Sequence, residues 1–152
     1  MEKVKFSYLQ IESYCKEIYK EILKQDYVPD YILGVSVGGL YPTILFSRLL
    51  DNQNVTTISL KSYSGTKRKN LKIINLPSKR ILKNKKILVI DDILDSGETF
   101  KFIKNILKKE YSVKDVKFLS IFVNKKNCKF YPDFYFKEVD KWICFPWDKF
   151  EK

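Results

Sequence analysis

Three carboxylates and two hydroxyls follow one apolar run in the middle of the chain. Residues 87–90 lead directly into Asp91 and Asp92, and Asp95 follows three residues later. Residues 96–99, with the sequence Ser-Gly-Glu-Thr, add two hydroxyls and a glycine that tolerates unusual backbone angles. Carboxylates bind sugar hydroxyls or a divalent cation, whereas a turn at a helix N-terminus offers backbone N–H groups to a phosphate. The segment therefore predicts a site for a ligand that carries a sugar, a phosphate and a divalent cation.

A buried strand and a helix must position these side chains. Residues 86–90 are mostly apolar, which predicts a strand buried on both faces of a sheet. Residues 99–109 predict a helix whose inward face carries Phe102, Ile103, Ile106 and Leu107. Open α/β sheets bind their ligands at the carboxyl ends of the strands. Asp91 and Asp92 follow the predicted strand and are expected at such an end.

Helical and strand patterns alternate along the rest of the chain. Ser7 to Gln10 fit a capping box that opens a helix over residues 8–24. The other predicted elements are a strand over 31–35, a helix over 41–50, and strands over 55–60 and 116–123. The pattern also allows short strands over 71–76 and 134–136, and predicts an irregular tail over 140–146. We therefore expect one α/β domain over residues 1–152, with a central, mainly parallel sheet flanked by helices.

The composition favours a folded protein and excludes several kinds of site. Hydrophobic residues make up 45% and aromatic residues 15% of the 152 residues, enough for a sizeable core. The chain has three cysteines without CxxC spacing and no histidine, which excludes the usual zinc sites and histidine-activated nucleophiles. No apolar run reaches the length of a membrane span, and no secretory signal pattern is present. We therefore expect a cytoplasmic protein without a membrane partner.

The formal charge of +11 is concentrated in one basic segment. Residues 61–86 contain ten Lys or Arg residues and no Asp or Glu. This segment could bind nucleic acid, attract a polyanionic small substrate or form a solvated surface, and charge alone does not distinguish the three. The connection between the strand over 55–60 and residue 86 is also unusually long, which is typical of a lid over a functional site or of a surface insertion.

The acidic segment resembles the 5-phosphoribosyl-1-pyrophosphate (PRPP) signature of the type I phosphoribosyltransferases. That signature is an apolar strand followed by Asp-Asp, two apolar residues, Asp, Ser or Thr, Gly, any residue and Thr. The resemblance implies that PRPP is bound by Asp91, Asp92, Ser96, Gly97, Glu98 and Thr99. The carboxylates of Asp91 and Asp92 would hold the ribose hydroxyls, directly or through Mg²⁺. Asp95 resembles the acid of the 6-oxopurine branch, which faces N7 of the base and serves as the catalytic general acid/base.

The loop after the first predicted strand of the sheet is similar to the pyrophosphate loop of bacterial xanthine-guanine phosphoribosyltransferases. Adjacent glycines between a strand and a helix let backbone N–H groups converge on an anion. The resemblance implies a pyrophosphate site made by Ser36, Val37, Gly38 and Gly39. The family usually has Arg-Gly-Gly here, and Val37 stands where the arginine would be. This departure removes one cation and leaves the backbone donors.

The tail over residues 139–148 resembles the Trp-Ile-x-x-Pro-Trp tail of the same subfamily and would form a small C-terminal base-binding hood. The resemblance implies that Trp142 stacks on the purine and that backbone groups near Ile143 recognise its edge. Trp147 is expected to pack against the sheet. In the family a lysine after the preceding strand contacts the exocyclic oxygen of the base. The simplest register places Asn124 there and a one-residue slip places Lys125, which we favour.

The combined resemblance implies a purine salvage enzyme that needs Mg²⁺. Hypoxanthine, guanine or xanthine would react with PRPP to give the nucleoside 5′-monophosphate and pyrophosphate, in a homodimer or homotetramer. Nucleic acid is then an unlikely partner. The alternative is a PRPP- or nucleotide-sensing regulator on the same fold that binds nucleic acid through the basic segment.

Overall fold

Helices and strands alternate along most of the chain, as the apolar spacing predicts. The computed structural model of the protein describes residues 2–63 and 70–151. The strands are β1 (Lys3–Lys5), β2 (Tyr31–Ser36), β3 (Val55–Tyr63), β4 (Asn70–Asn75), β5 (Lys86–Leu94), β6 (Asp115–Asn124), β7 (Lys137–Val139) and β8 (Trp142–Cys144). The helices are α1 (Tyr8–Lys24), α2 (Leu40–Leu49), α3 (Lys79–Leu82) and α4 (Glu98–Lys109), and a 3-10 turn covers Pro146–Asp148.

Six strands form one sheet in the order β4-β3-β2-β5-β6-β7. All neighbours in it run parallel except β3 and β4, which pair antiparallel. The strands β1 and β8 form a separate parallel pair. The predicted α/β class with a central, mainly parallel sheet flanked by helices is therefore confirmed.

Strand β5 lies at the centre because both of its faces are apolar. Leu88 and Ile90 belong to the core on the α1 and α2 side of the sheet, whereas Ile87 and Val89 belong to the core on the α4 side. All four side chains have no solvent exposure. Burying a side chain of this size stabilises the fold by roughly 1.5–3 kcal/mol. The end of β5 is thus held at one fixed place in the molecule.

Helix α1 begins and ends where the sequence predicts. The Ser7 hydroxyl accepts a hydrogen bond from the Gln10 backbone N–H at 3.1 Å, and the Gln10 side chain accepts one from the Ser7 N–H at 2.8 Å. This capping box satisfies N–H groups that the first helical turn leaves without partners. The buried face of the helix consists of Ile11, Cys15, Ile18 and Ile22.

Strand β5 is longer than predicted, and this changes the placement of the acids. Its pairing with β2 ends at Gly34 and Ile90, whereas its pairing with β6 continues to Leu94 and Val123. Asp91 and Asp92 therefore lie within the strand, on a part that is bonded only to β6. Sequence reasoning ended the strand too early because it treated carboxylates as the end of an apolar run.

The tail and the long connection also differ from the prediction. The tail over 140–146 is not irregular, because β8 pairs with β1, a partner at the opposite end of the sequence that local patterning did not indicate. The strand expected over 134–136 is displaced to β7, and Phe134 makes only an isolated bridge to Leu119. Within the long connection, β4 confirms the strand that the pattern allowed over 71–76, whereas α3 was not predicted; residues 64–69 lie outside the described residues.

Helix α4 buries Phe100, Ile103, Ile106 and Leu107. Three of the predicted inward residues are thus confirmed, and Phe102 is only half-buried. Among the residues that the structure describes, no helix has the length and apolar character needed to cross a membrane.

Candidate active site

A cleft of about 320 Å³ opens at the carboxyl ends of β2 and β5. Its walls come from the loop after β2, the end of β5, the first turn of α4 and the antiparallel pair β3 and β4. It is lined by Val35, Ser36, Gly38, Leu60, Ser62, Leu71 and residues 91–99. All six predicted PRPP residues therefore meet in one place, together with two of the four predicted pyrophosphate residues, Ser36 and Gly38.

Asp91 and Asp92 place two carboxylates side by side in this cleft. Burial raises the pKa of Asp91 well above its usual range, and the neighbouring charge of Asp92 adds to the increase. Burial also raises the pKa of Asp92, although hydrogen bonds from the Ile93 N–H and Trp147 pull it in the other direction. Neither acid has a Lys or Arg partner among the described ion pairs. A sugar hydroxyl or a cation would therefore stabilise the ionised pair.

The turn before α4 is shaped to admit an anion. Gly97 has φ = 89°, and a Cβ on it would lie 2.8 Å from the Phe130 carbonyl oxygen, so only glycine fits without strain. Helix α4 starts at the next residue and directs backbone N–H groups toward the cleft side of the turn. The Ser96 hydroxyl accepts a hydrogen bond from the Glu98 N–H at 3.3 Å. This geometry suits a phosphate group at residues 96–99.

The Asp95 carboxylate accepts hydrogen bonds from two side-chain amides, one at the end of β6 and one in the segment that follows it. Nδ2 of Asn124 and Nδ2 of Asn127 donate to the same carboxylate oxygen of Asp95, at 2.7 and 3.0 Å. Lys125 is exposed and its backbone N–H donates to the Val139 carbonyl at 2.8 Å. Of the two residues weighed for base contact, Asn124 is the one that touches the predicted general acid/base. Sequence reasoning did not identify Asn127, although polar amides just past a strand end are a signal for such a role.

The glycine loop after β2 lies in close contact with Asp92 and with backbone oxygens of β2 and β5. A Cβ on Gly38 would collide with the Asp92 carboxylate, and one on Gly39 would lie 2.6 Å from the backbone oxygens of Val35 and Ile90. The peptide bond between Ser36 and Val37 is cis. The Val37 side chain is 79% exposed and lines a neighbouring groove of about 600 Å³ rather than the cleft. The loop therefore presents backbone and small residues to the cleft, with no cation at Val37.

The two tryptophans of the tail have different surroundings. Trp142 is 57% exposed and lines a wider groove of about 900 Å³ together with Lys3, Lys5 and Phe6, away from the residues that line the acidic cleft. The Ile143 side chain is buried in the core. Trp147 is the residue that contacts the cleft, because its Nε1–H donates to Asp92 Oδ2 at 3.3 Å. Packing alone was expected of Trp147, but an indole N–H that is partly buried needs an acceptor.

The donor set fits a metal ion that shares its ligands with a substrate. Within residues 2–63 and 70–151, no group of three or more His, Cys, Asp or Glu residues is arranged to hold a metal. Asp91 and Asp92 offer hard oxygen donors, which Mg²⁺ prefers, but an octahedral ion needs six ligands. A bound substrate would have to supply several of them.

Comparisons with known proteins agree with this geometry. The family model of the phosphoribosyl transferase domain matches residues 7–151. The xanthine-guanine phosphoribosyltransferase of Cereibacter sphaeroides is 32% identical over 120 residues, which is 77% of this chain and 68% of that protein. The structure of the Helicobacter pylori xanthine-guanine-hypoxanthine phosphoribosyltransferase is 30% identical, with a TM-score of 0.86 over 97% of this chain and 95% of that one.

A third solved structure, of a purine phosphoribosyltransferase from Pyrococcus horikoshii, is 27% identical with a TM-score of 0.85, over 100% of this chain and 97% of that one. The matches cover the sheet, the cleft and the tail together, because the family model spans all of them. The chain therefore belongs to the phosphoribosyltransferase family and is an enzyme of the glycosyltransferase type.

Proposed function

We propose that the protein transfers the 5-phosphoribosyl group of PRPP to a 6-oxopurine base in purine salvage. Hypoxanthine, guanine or xanthine would give the nucleoside 5′-monophosphate and pyrophosphate. The observation that carries the proposal is the cleft in which Asp91, Asp92 and Asp95 lie beside the N-terminus of α4. The names of the relatives from Cereibacter sphaeroides and Helicobacter pylori support a 6-oxopurine as the acceptor.

Asp91 and Asp92 would bind the ribose of PRPP through its 2′- and 3′-hydroxyls. Their raised pKa values favour a partner that donates hydrogen bonds or carries positive charge. Mg²⁺, when bound with PRPP, would neutralise the charge that develops on the leaving pyrophosphate. The two carboxylates would then hold that ion from the ribose side.

The 5′-phosphate of PRPP would bind in the turn before α4. Hydroxyls of Ser96 and Thr99 and the backbone N–H groups of Gly97 and Glu98 are the donors proposed for it. The helix N-terminus adds a favourable dipole for an anion. Fixing the phosphate here and the ribose at the acids would orient C1′ toward the base, and positioning of this kind supplies much of the rate in group-transfer reactions.

Asp95 would accept and return the proton at N7 of the purine. The amides of Asn124 and Asn127 donate only to one oxygen of its carboxylate, so the carboxylate has a fixed orientation. A general acid/base needs such an orientation because proton transfer requires hydrogen-bond reach to the base.

Pyrophosphate would leave along the loop formed by Ser36, Val37, Gly38 and Gly39. The Gly39 N–H itself donates to the Val35 carbonyl at 2.8 Å, so the donors proposed for pyrophosphate are the N–H groups of Val37 and Gly38. Trp142, the backbone near Ile143 and Lys125 remain base contacts proposed from the resemblance alone, because Trp142 lines the wider groove rather than the cleft that holds Asp95. We keep the cytoplasmic location and the homodimeric or homotetrameric assembly as predictions from the sequence. No membrane partner is proposed.

A radiolabelled-PRPP assay tests the proposal. The purified protein with Mg²⁺ should form labelled nucleotide with hypoxanthine, guanine or xanthine and much less with adenine or uracil. The Asp95→Asn variant is the matched control, because it keeps the shape of the side chain and removes its basicity. Turnover restricted to adenine or to a pyrimidine would overturn the assignment of the base.

One observation favours the regulator alternative: Val37 stands where the resemblance implies an arginine in the pyrophosphate loop. The relatives that support the enzyme make this alternative the weaker one. Salt-sensitive retention of the protein on RNA or DNA, without nucleotide formation in the assay, would favour the regulator.

A further inference from the structure

The Asp92 carboxylate is contacted from three different segments of the chain. The Ile93 N–H donates to its Oδ1 at 2.7 Å, and the Trp147 indole N–H donates to its Oδ2 at 3.3 Å. Gly38 lies so close that any side chain there would collide with the carboxylate. Each carboxylate oxygen can accept more than one hydrogen bond. Each carboxylate oxygen of Asp92 therefore accepts one hydrogen bond from the protein and can accept another from a ligand in the cleft.

Aromatic rings hold the indole of Trp147 in place. Its ring lies parallel to that of Phe145, with centroids 4.7 Å apart and an interplanar angle of 9°. Tyr41 packs at 5.1 Å and Tyr8 at 6.4 Å between centroids. The Tyr41 hydroxyl in turn donates to Glu12 Oε1 at 3.2 Å. Rings from α1, α2 and the tail thus enclose the indole, which gives its N–H a defined direction.

The turn that carries Trp147 is itself closed by a hydrogen bond. Asp148 accepts from the Phe145 N–H at 2.8 Å, so the tail approaches the cleft with a fixed backbone. Tyr41 lies two residues after Gly39, at the start of α2. The indole therefore touches both the predicted ribose carboxylate and the helix that starts at the pyrophosphate loop.

We propose that Trp147 is a positioning residue, which orients Asp92 toward the ribose hydroxyls and the magnesium ion of PRPP. This inference rests on the proposed function, because it assigns a task to a carboxylate of the same cleft. A donor that is already in place spares the carboxylate any reorganisation when PRPP arrives. Without the indole N–H, the Ile93 N–H alone donates to the Asp92 carboxylate, which then has a less defined orientation, and the cost falls on PRPP binding.

Trp147→Phe tests this by removing the N–H and keeping an aromatic ring. The KM for PRPP, and the Kd of the protein for the magnesium–PRPP complex measured by calorimetry, should rise about three- to tenfold. This is the range of one ordinary hydrogen bond, as expected for a contact as long as 3.3 Å. The KM for the purine base should stay within error. Tyr41→Phe is the matched control, because it loosens the same aromatic group without touching Asp92, and PRPP binding should be unchanged.

Several outcomes separate this inference from the proposed function. A folded Trp147→Phe protein that binds PRPP as tightly as wild type overturns the inference and leaves the proposed function intact. A wild-type protein that binds no PRPP overturns both. If Tyr41→Phe weakens PRPP binding as much as Trp147→Phe, packing rather than the hydrogen bond is responsible, and the inference fails.

A spectroscopic measurement covers the case in which Trp147→Phe does not fold. The chain has two tryptophans, so Trp142→Phe leaves Trp147 as the single emitter. Magnesium–PRPP should shift or quench its fluorescence, because the ligand changes the charge beside the indole N–H. The same titration with pyrophosphate and Mg²⁺ but no ribose should give a smaller change. An emission that is indifferent to saturating PRPP would overturn the inference.

Discussion

Two regions of the cleft bind different parts of the proposed substrate, and they depart from the family pattern to different degrees. Residues 91–99, which are proposed to bind the ribose and its 5′-phosphate, keep every acid, hydroxyl and glycine of the PRPP signature. The opposite region, formed by the loop after β2 and the end of β6, has neutral Val37 where the resemblance implies an arginine, and either Asn124 or Lys125 where it implies a lysine. The first region depends on side-chain chemistry. The second depends on backbone donors and on contacts between loops.

The two regions are therefore expected to tolerate amino-acid substitutions differently. The side chains of Asp91, Asp92, Asp95, Ser96 and Thr99 are proposed to act on the ligand themselves, so a substitution at one of them should change the chemistry directly. In the second region the glycines are fixed by close approach to Asp92 and to strand oxygens, whereas the exposed Val37 is not. We therefore expect the largest effects of substitution at the first region and small or even favourable ones at Val37.

Asp95→Asn should give the largest effect. It should lower kcat by about 10²–10⁴, the usual loss on removing a general acid/base, and leave PRPP affinity nearly unchanged. Asp51→Asn, on the surface after α2, is the control and should keep wild-type turnover. Wild-type kcat in the Asp95 variant would show that this residue is not the general acid/base. Substitution in residues 91–99 would then have no larger effect than substitution in the opposite region.

Gly97→Ala should affect folding and phosphate binding together. The residue has φ = 89° and a Cβ would meet Phe130 at 2.8 Å, so the variant should lose about 1–3 kcal/mol of free energy of unfolding. Denaturant titration measures this loss, and the KM for PRPP should rise as the turn shifts. Glu98→Ala, at the next and exposed position, should unfold like wild type. Equal stability of both variants would mean that the turn relaxes more easily than its geometry suggests.

Asp91→Asn should stabilise the protein at neutral pH. Burial raises the pKa of Asp91 in the folded state, so the folded protein binds a proton there more tightly than the unfolded chain does. Stability from this group is full below the unfolded pKa and is lost as pH rises through the raised folded pKa. The neutral amide avoids that loss, so the free energy of unfolding at neutral pH is expected to rise.

The measurement for Asp91→Asn is thermal or denaturant unfolding from mildly acidic to neutral pH. The gain over wild type should grow as pH rises, while activity falls. A variant that is less stable than wild type at neutral pH would contradict the destabilising role of the buried acid.

Val37→Arg should give the smallest effect and the most informative one about the second region. A charged contact to pyrophosphate is worth about 1.5–3 kcal/mol when shielded, and less in an exposed loop, so PRPP KM should fall only a few-fold. Ile44→Arg is the matched control, because it adds the same charge to the same groove from an exposed position of α2. Both should be compared at low and at physiological salt.

An equal effect of Val37→Arg and Ile44→Arg would show that general electrostatic attraction, rather than a contact to pyrophosphate, is responsible. Unchanged or weaker PRPP binding in Val37→Arg at both salt concentrations would mean that the loop does not meet pyrophosphate. The absence of a cation at residue 37 would then need another explanation.

Local sequence determines the parts of this protein that sequence reasoning predicted well. The apolar faces of α1 and β5 and the glycine turn at Gly97 are all encoded within a few neighbouring residues. The order of acids and hydroxyls over residues 91–99 was sufficient to locate the cleft. These features follow from periodicity and from residue chemistry at strand ends.

What the sequence did not reveal depends on contacts between distant residues. The hydrogen bond from Trp147 to Asp92 and the amide contact from Asn127 to Asp95 join segments that only the folded sheet brings together. The pairing of β1 with β8 has the same cause, because three residues of β-strand carry too little apolar patterning to be detected. The extension of β5 past Ile90 depends on β6 as a partner rather than on its own residues.

The pairing of β1 with β8 has a consequence for the order of folding. Lys3 is aligned with Trp142, so the smaller sheet closes a loop that contains nearly all of the described chain. Loop closure costs more entropy as the loop grows, and contacts between distant residues tend to form late. The segment from β5 to β6 can assemble its acids and its turn from neighbouring residues. The tail with Trp142 and Trp147 must instead wait for β8 to reach β1, so a ribosome-bound chain would complete the turn at residues 96–99 before the tail proposed to bind the base.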